Sequence, residues 1–233
     1  MTSIIKYDKS IIPSCDVPTL EKLEELVRNT ANVNGIGAYK IGFELVIPFG
    51  MKKVVDVIRK HTDLPVIYDH QKAGTDVPFV GQKFVSACRD ADAVIIFPQA
   101  GPESEKAFIQ AAIDSGMKII VGGEMTHKAY MAGDGGYLMD DAPERIYSIA
   151  AEMGITDFVV PGNKPEKIKK YREMLEGKGV RPVFYSPGLV AQGGEISDSA
   201  KAAGDKWHAI VGRGIYAQKD MKKAAEELVS ALR

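Results

Sequence analysis

Pro65-Val66-Ile67-Tyr68-Asp69-His70-Gln71-Lys72-Ala73-Gly74-Thr75-Asp76-Val77-Pro78 sets a short apolar run, Pro65 to Tyr68, directly ahead of Asp69, Lys72 and Asp76. The run has the length and content of a buried strand. Ionisable groups of both signs crowded at its end point to a site, because buried charge is costly unless it is paired. The same grammar repeats outward in both directions. Strands are expected at Ile11 to Cys15, Ala38 to Gly42, Pro65 to Tyr68, Ala93 to Phe97, Lys118 to Val121, Asp157 to Val160, Pro182 to Tyr185 and His208 to Val211. Amphipathic helical patterns follow at Thr19 to Val27, Gly50 to His61, Phe79 to Arg89, Ser104 to Ser115, Ala142 to Met153, Pro165 to Glu176, Ser197 to Ala203 and Asp220 to Leu232. In the first of them Thr19 stands as N-cap and Glu21 sits in the first turn, where a carboxylate suits the helix dipole. Strand and helix in strict alternation predict a parallel sheet. Eight such units predict an α/β fold of the (β/α)8 TIM-barrel type, since closure removes both exposed edges.

With no proline- and glycine-rich linker along it, the chain is expected to form a single barrel domain over 1–233. Its net charge of -1 leaves no electrostatic footprint for nucleic acid, so any anion it binds must be held by a local site. No apolar stretch approaches the roughly 20 residues a membrane-spanning helix needs. Its polar start lacks a secretory apolar core, and Cys15 and Cys88 are its only cysteines, both in apolar runs; a reduced, cytoplasmic protein is expected.

In a barrel the residues just after each strand gather at one rim. That rule collects Asp16, Lys40 with Glu44, Asp69 with Lys72 and Asp76, Gln99, Glu124 to His127, Gln192 and Arg213. The long connection Thr126 to Asp141, which holds Gly133, Gly135 and Gly136, is expected to be a loop over that rim. After the seventh strand the chain reads Pro187-Gly188-Leu189-Val190-Ala191-Gln192-Gly193-Gly194, and at the eighth Val211-Gly212-Arg213-Gly214-Ile215-Tyr216. Barrels place phosphate at these two loops, where glycines let backbone N-H groups approach an anion and an arginine can fork two hydrogen bonds to it.

Those two segments, with Tyr39-Lys40-Ile41-Gly42-Phe43-Glu44-Leu45, Glu124-Met125-Thr126-His127 and Asp16-Val17, resemble the orotidine 5'-phosphate decarboxylase family in the same order along the chain. The resemblance implies a decarboxylase converting orotidine 5'-phosphate to UMP in pyrimidine biosynthesis without metal or organic cofactor. It further implies a homodimer whose sites lie at the interface. Carried over by position, Lys40 contacts the ribose and braces the charges, Asp16 bonds the sugar, and Thr126 contacts the pyrimidine. Gln192 bridges phosphate and base, while Pro187, Gly212 and Arg213 belong to the phosphate site. Lys72 protonates C6 beside Asp69, and Asp76 is contributed to the partner's site.

The family pattern Asp-x-Lys-x-x-Asp is lengthened here by one residue in each interval, to Asp69, Lys72 and Asp76. Side chains at i and i+3 of an extended strand point to opposite faces. A bulge or extra turn is therefore expected between Asp69 and Asp76, with His70 and Gln71 within it. Three other readings stay open. One is a Mg²⁺-dependent sugar-phosphate enzyme of the hexulose-phosphate synthase or keto-gulonate phosphate decarboxylase type, with Glu44 as a ligand. Another is a ribulose-phosphate epimerase, which needs paired His and Asp ligands. The last is a non-catalytic pyrimidine-nucleotide-binding barrel. His70 and His127 read as hydrogen-bonding loop residues.

Overall fold

A computed structural model of the chain describes residues 3–70, 75–190 and 194–232. The strands are β1 (Lys9–Pro13), β2 (Tyr39–Gly42), β3 (Val66–Asp69), β4 (Ala93–Ile96), β5 (Lys118–Gly122), β6 (Asp157–Val159), β7 (Val183–Ser186) and β8 (Trp207–Val211). They form one sheet in the order β1-β8-β7-β6-β5-β4-β3-β2, and every pairing is parallel. The ends of this sheet meet. Ser14 bridges Lys40 and Ile11 bridges Ile36, with Cys15 N donating to Lys40 O (2.8 Å) and Gly37 N to Ile11 O (3.0 Å). The barrel is thereby closed, as the alternation of strand and helix predicts.

The helices are α1 (Leu20–Thr30), α2 (Phe43–Phe49), α3 (Met51–Arg59), α4 (Gly81–Ala87), α5 (Pro102–Ser115), α6 (Ala142–Glu152), α7 (Pro165–Gly177), α8 (Ile196–Ala203), α9 (Arg213–Tyr216) and α10 (Met221–Ser230). Each strand alternates between two cores, as a period of two requires. Inward residues, among them Ile12, Ala38, Ile67, Ile95, Ile120, Val159 and Ile210, fill the barrel, and Ile5 joins them from ahead of β1. Outward residues such as Ile41, Val94, Phe158 and Phe184 pack on helix faces carrying Leu23, Leu26, Val54, Ile58 and Phe108. Each fully buried side chain of this size adds about 1.5–3 kcal/mol relative to exposure. Thr19 caps α1 as expected, its Oγ1 accepting from Lys22 N (3.3 Å), and Asp220 caps α10 in the same way. Cys15 and Cys88 are buried free thiols, and burial pushes Cys88 up to about 12.

The second unit departs from expectation. The helix predicted at Gly50 to His61 is preceded by another, α2, that starts directly at the end of β2. Gly50, at φ +83°, turns the chain between them, and its N-H closes α2 on Val46 O (2.9 Å). Glu44 in the first turn is the one local sign of a helix start, Gly42 ahead of it brings no capping side chain, and Pro48 argues locally against a helix. The strand ahead of Asp16 also starts earlier than expected, at Lys9 rather than Ile11.

Candidate active site

Because side chains alternate along strands, Ser14 and Asp16 continue the inward phase of β1, as Lys40 does on β2 and Asp69 on β3. Their charged ends meet at the C-terminal rim. Lys40 Nζ lies 3.2 Å from Asp69 Oδ2 and 3.8 Å from Asp16 Oδ1, and donates to Ser14 Oγ (3.2 Å); Ser14 Oγ in turn donates to Asp16 Oδ2 (2.7 Å). Lys40 is 3% exposed and Asp69 2%. Burial alone would push the Lys40 ammonium pKa down; the charges of Asp69 and Asp16 outweigh that and hold it above the ordinary lysine value. Removing such a cation leaves the buried Asp69 carboxylate facing the half-buried Asp16. Lys40→Met is therefore expected to destabilise the fold by about 3–5 kcal/mol, measured as a shift in the chemical-denaturation midpoint.

Beside this cluster lies a cavity of about 150 Å³ lined by Ser14, Asp16, Lys40, Pro187, Gly188, Leu189, Gly212, Arg213 and Tyr216. The register Pro13↔Val211 of β1 and β8 brings the Ser14–Asp16 and Gly212–Gly214 ends side by side. Gly188, at φ +89°, makes a turn that an L side chain would strain, and so lets the loop after β7 fold over the cavity. Val190 N donates to Gly194 O (2.9 Å) across that loop. Gln192 lies outside the described residues, as do Lys72 and the stretch 71–74 in which the bulge is expected.

On the far side of the rim, Thr126 is half-buried and is fixed through its backbone, its carbonyl accepting from Asn163 Nδ2 (3.0 Å). Glu124, 2% exposed, pairs with Lys164 Nζ (2.8 Å) and accepts from the Tyr171 hydroxyl. Lys164 Nζ also donates to Met125 O (3.3 Å). Gly122 and Gly123 are required here, since a Cβ on Gly122 would stand 2.3 Å from the Phe97 ring. His70 Nδ1 meets the Tyr68 hydroxyl on the helix side of β3, the hydrogen bond expected of it, whereas the contact His127 makes is an edge-on packing against Tyr130.

The residues after the third strand are anchored elsewhere. Thr75 Oγ1 donates to Phe97 O (2.6 Å), and Ser104 Oγ donates to Asp76 O (2.5 Å). Asp76 itself is exposed, between Thr75 and the exposed apolar Val77 and Phe79. Phe43 and Ile47 are likewise exposed on α2, which follows the neighbouring strand.

The structure thus gathers Asp16, Lys40, Asp69, Pro187, Gly212 and Arg213 in one place and sets Thr126 across the rim. Ser14 and Tyr216 also line the cavity. Tyr216 was legible as the last member of its motif, whereas Ser14, in an apolar run, was not. Asn163 and Lys164, after β6, carried no signal, because they act on loop backbone and on Glu124. Glu44 is exposed, and among the described residues no three His, Cys, Asp or Glu side chains are grouped to hold a metal ion.

The family model for the Orotidine 5'-phosphate decarboxylase / HUMPS family matches residues 9–228. The chain is 32% identical over 225 residues to the orotidine 5'-phosphate decarboxylase of Methanosarcina mazei, covering 95% of this chain and 94% of that protein. It is 30% identical over 225 residues to that of Methanococcus maripaludis, covering 95% and 97%. In three dimensions it is similar to the crystal structure of orotidine 5'-monophosphate decarboxylase from Methanocaldococcus jannaschii complexed with inhibitor BMP. That match has a TM-score of 0.84 at 26% identity and covers 97% of this chain and 99% of that one. With the barrel, the buried charge cluster and the glycine-lined cavity in the order its motifs require, the chain belongs to the orotidine 5'-phosphate decarboxylase / HUMPS family.

Proposed function

We propose that this protein is a carbon-carbon lyase that decarboxylates orotidine 5'-phosphate to UMP in pyrimidine synthesis, without metal or organic cofactor, as a cytoplasmic homodimer. The observation that carries this reading is the Lys40 ammonium set between Asp16 and Asp69 at the mouth of the glycine-lined cavity. In metal-using relatives of this fold a divalent cation has to neutralise the rim carboxylates. Here a side chain of the protein's own already stands between two of them.

The chemistry asks for such a set. When the bond from C6 to the carboxylate carbon breaks, the electron pair stays on C6 as a vinyl-type carbanion with little ring delocalisation, and CO₂ departs. Fixed positive charge in a site closed to water stabilises that carbanion best. Lys72, placed in sequence between Asp69 and Asp76, supplies the charge and then gives its proton to C6. Lys40 holds Asp69 in position, and Asp16 with Lys40 takes the ribose hydroxyls. Gly188, Gly212 and Arg213 grip the phosphate, with Gln192 spanning from phosphate to base and Thr126 on the pyrimidine. Phosphate binding remote from the reacting carbon supplies energy to order the site. The exposed Val77 and Phe79, close to Asp76 in the chain, and the exposed Phe43 and Ile47 on the helix after the neighbouring strand offer apolar surface that fits a subunit contact.

The direct test incubates the purified protein and EDTA with orotidine 5'-phosphate and follows UMP formation. Turnover unaffected by EDTA supports the proposal. Tight UMP binding without turnover would replace it with a nucleotide-binding barrel, and Mg²⁺-dependent activity on sugar phosphates with the metal-using branch of the family. Arg213→Ala is expected to lower kcat/KM by about 10- to 100-fold, the worth of one charge-assisted hydrogen bond of about 1.5–3 kcal/mol, in steady-state assays.

A further inference from the structure

Away from the rim cluster, between α5 and α6, a second cavity of about 150 Å³ opens beneath the loop that follows β5. Its walls are largely apolar: Pro98, Pro102, Leu138, Ile146 and Ile149. One ionisable group is buried in it. Glu105, in the first turn of α5, is 1% exposed, and its Oε1 has no hydrogen-bond partner among the described residues. The charged side chains around it are Arg145 of α6, which lines the cavity, and Lys106 on its own helix. Burial pushes the Glu105 carboxyl up to about 8, with Lys106 acting weakly in the opposite sense, so the group is a neutral carboxylic acid at pH 7.

A buried polar atom left without a partner costs about 1–3 kcal/mol, a cost that a ligand can relieve. We propose that this cavity is a second small-molecule site, taking a neutral six-membered cyclic amide or heterocycle whose N-H and acceptor share one edge, which pairs with the Glu105 carboxylic acid. A neutral carboxyl presents one donor beside one acceptor, so an edge with the complementary pair satisfies both at once. The volume suits a single ring, since an apolar cavity of this size holds benzene in another protein. The guanidinium of Arg145 in the cavity lining opposes a cationic ligand. The site also touches the active-site rim. Leu138 belongs to the loop that carries Thr126, and Gln99 Nε2, on the cavity wall, donates to Tyr130 Oη (2.9 Å), which donates to Gly123 O (3.2 Å). An occupant therefore bears on the segment Gly123 to Thr126.

The test uses the full chain and 2-pyridone as probe, with binding followed by calorimetry and ligand-observed NMR. Saturable binding at pH 6.5 is expected, and N-methyl-2-pyridone, which lacks the N-H, should bind about tenfold more weakly. Glu105→Leu should lose a similar factor, while Glu105→Gln, which keeps a donor beside an acceptor, should stay within about threefold. Raising the pH to 9.5 ionises Glu105 and should weaken wild-type binding by about thirtyfold, leaving the Gln variant unchanged. If the Leu variant fails to fold, the Gln variant and the pH series still decide the matter. Absence of saturable binding, equal binding of the N-methyl compound, or pH-independent binding would overturn the proposal.

Discussion

Lys72→Ala is expected to lower the rate of UMP formation at least about 10⁴-fold, because in the proposed reaction one substitution removes both the general acid and the fixed positive charge beside the carbanion. Single-turnover conversion of orotidine 5'-phosphate measures the loss. UMP affinity should change by less than about tenfold, since the phosphate grip and the sugar contacts are built from other strands and product binding uses interactions common to ground and transition states. A variant that keeps turnover within a hundredfold of the parent, or that loses UMP binding and turnover together, would remove Lys72 from the chemistry. The lengthened interval from Asp69 makes this the sharpest test of the reaction, because it asks whether a lysine one residue farther along the chain still reaches C6.

Mixing two inactive proteins should restore activity if Asp76 acts across a subunit boundary. Asp76→Asn and Lys72→Ala homodimers each carry a defect in every site. In a heterodimer formed after subunit exchange, one site takes its lysine from the first chain and its aspartate from the second, and is intact. Random exchange in a twofold-symmetric dimer should recover roughly a quarter of the parent turnover. Recovery that follows the time course of subunit exchange, read by native mass spectrometry, supports the shared site. A mixture that exchanges fully and stays inactive would place Asp76 in its own chain's site or outside the chemistry. The exposure of Asp76, against the burial of Lys40 and Asp69, is the structural reason for expecting recovery.

The barrel was legible because most strands are short runs rich in β-branched or aromatic residues and amphipathic helical patterns alternate with them, and both signals are local. Asp16, Lys40, Asp69, Gly212 and Arg213 were legible because strand ends converge in a closed barrel, which converts sequence position into proximity. What stayed hidden depends on tertiary context. The helix Phe43–Phe49 follows β2 with no capping side chain and is set off from α3 by Gly50. Asn163 and Lys164 act at a distance of nearly forty residues, on Thr126 O and Glu124, through contacts that no spacing rule encodes. Ser14 hides in an apolar run although its hydroxyl joins Lys40 to Asp16. The buried Glu105 looks in sequence like an ordinary first-turn carboxylate favoured by the helix dipole. Only the packing of α6 against α5 shows that it is enclosed.

The pairing of β1 with β8, Ser10 opposite His208 and Pro13 opposite Val211, has a consequence for how the molecule comes into being. Chains emerge from the ribosome N-terminus first, so Asp16, Lys40 and Asp69 are in the open long before Arg213 has been synthesised. The Gly212–Gly214 segment and the charge cluster become neighbours only when β8 arrives and locks beside β1. A ligand that touches both, as the proposed nucleotide would, binds only the closed ring and so favours it over any open one.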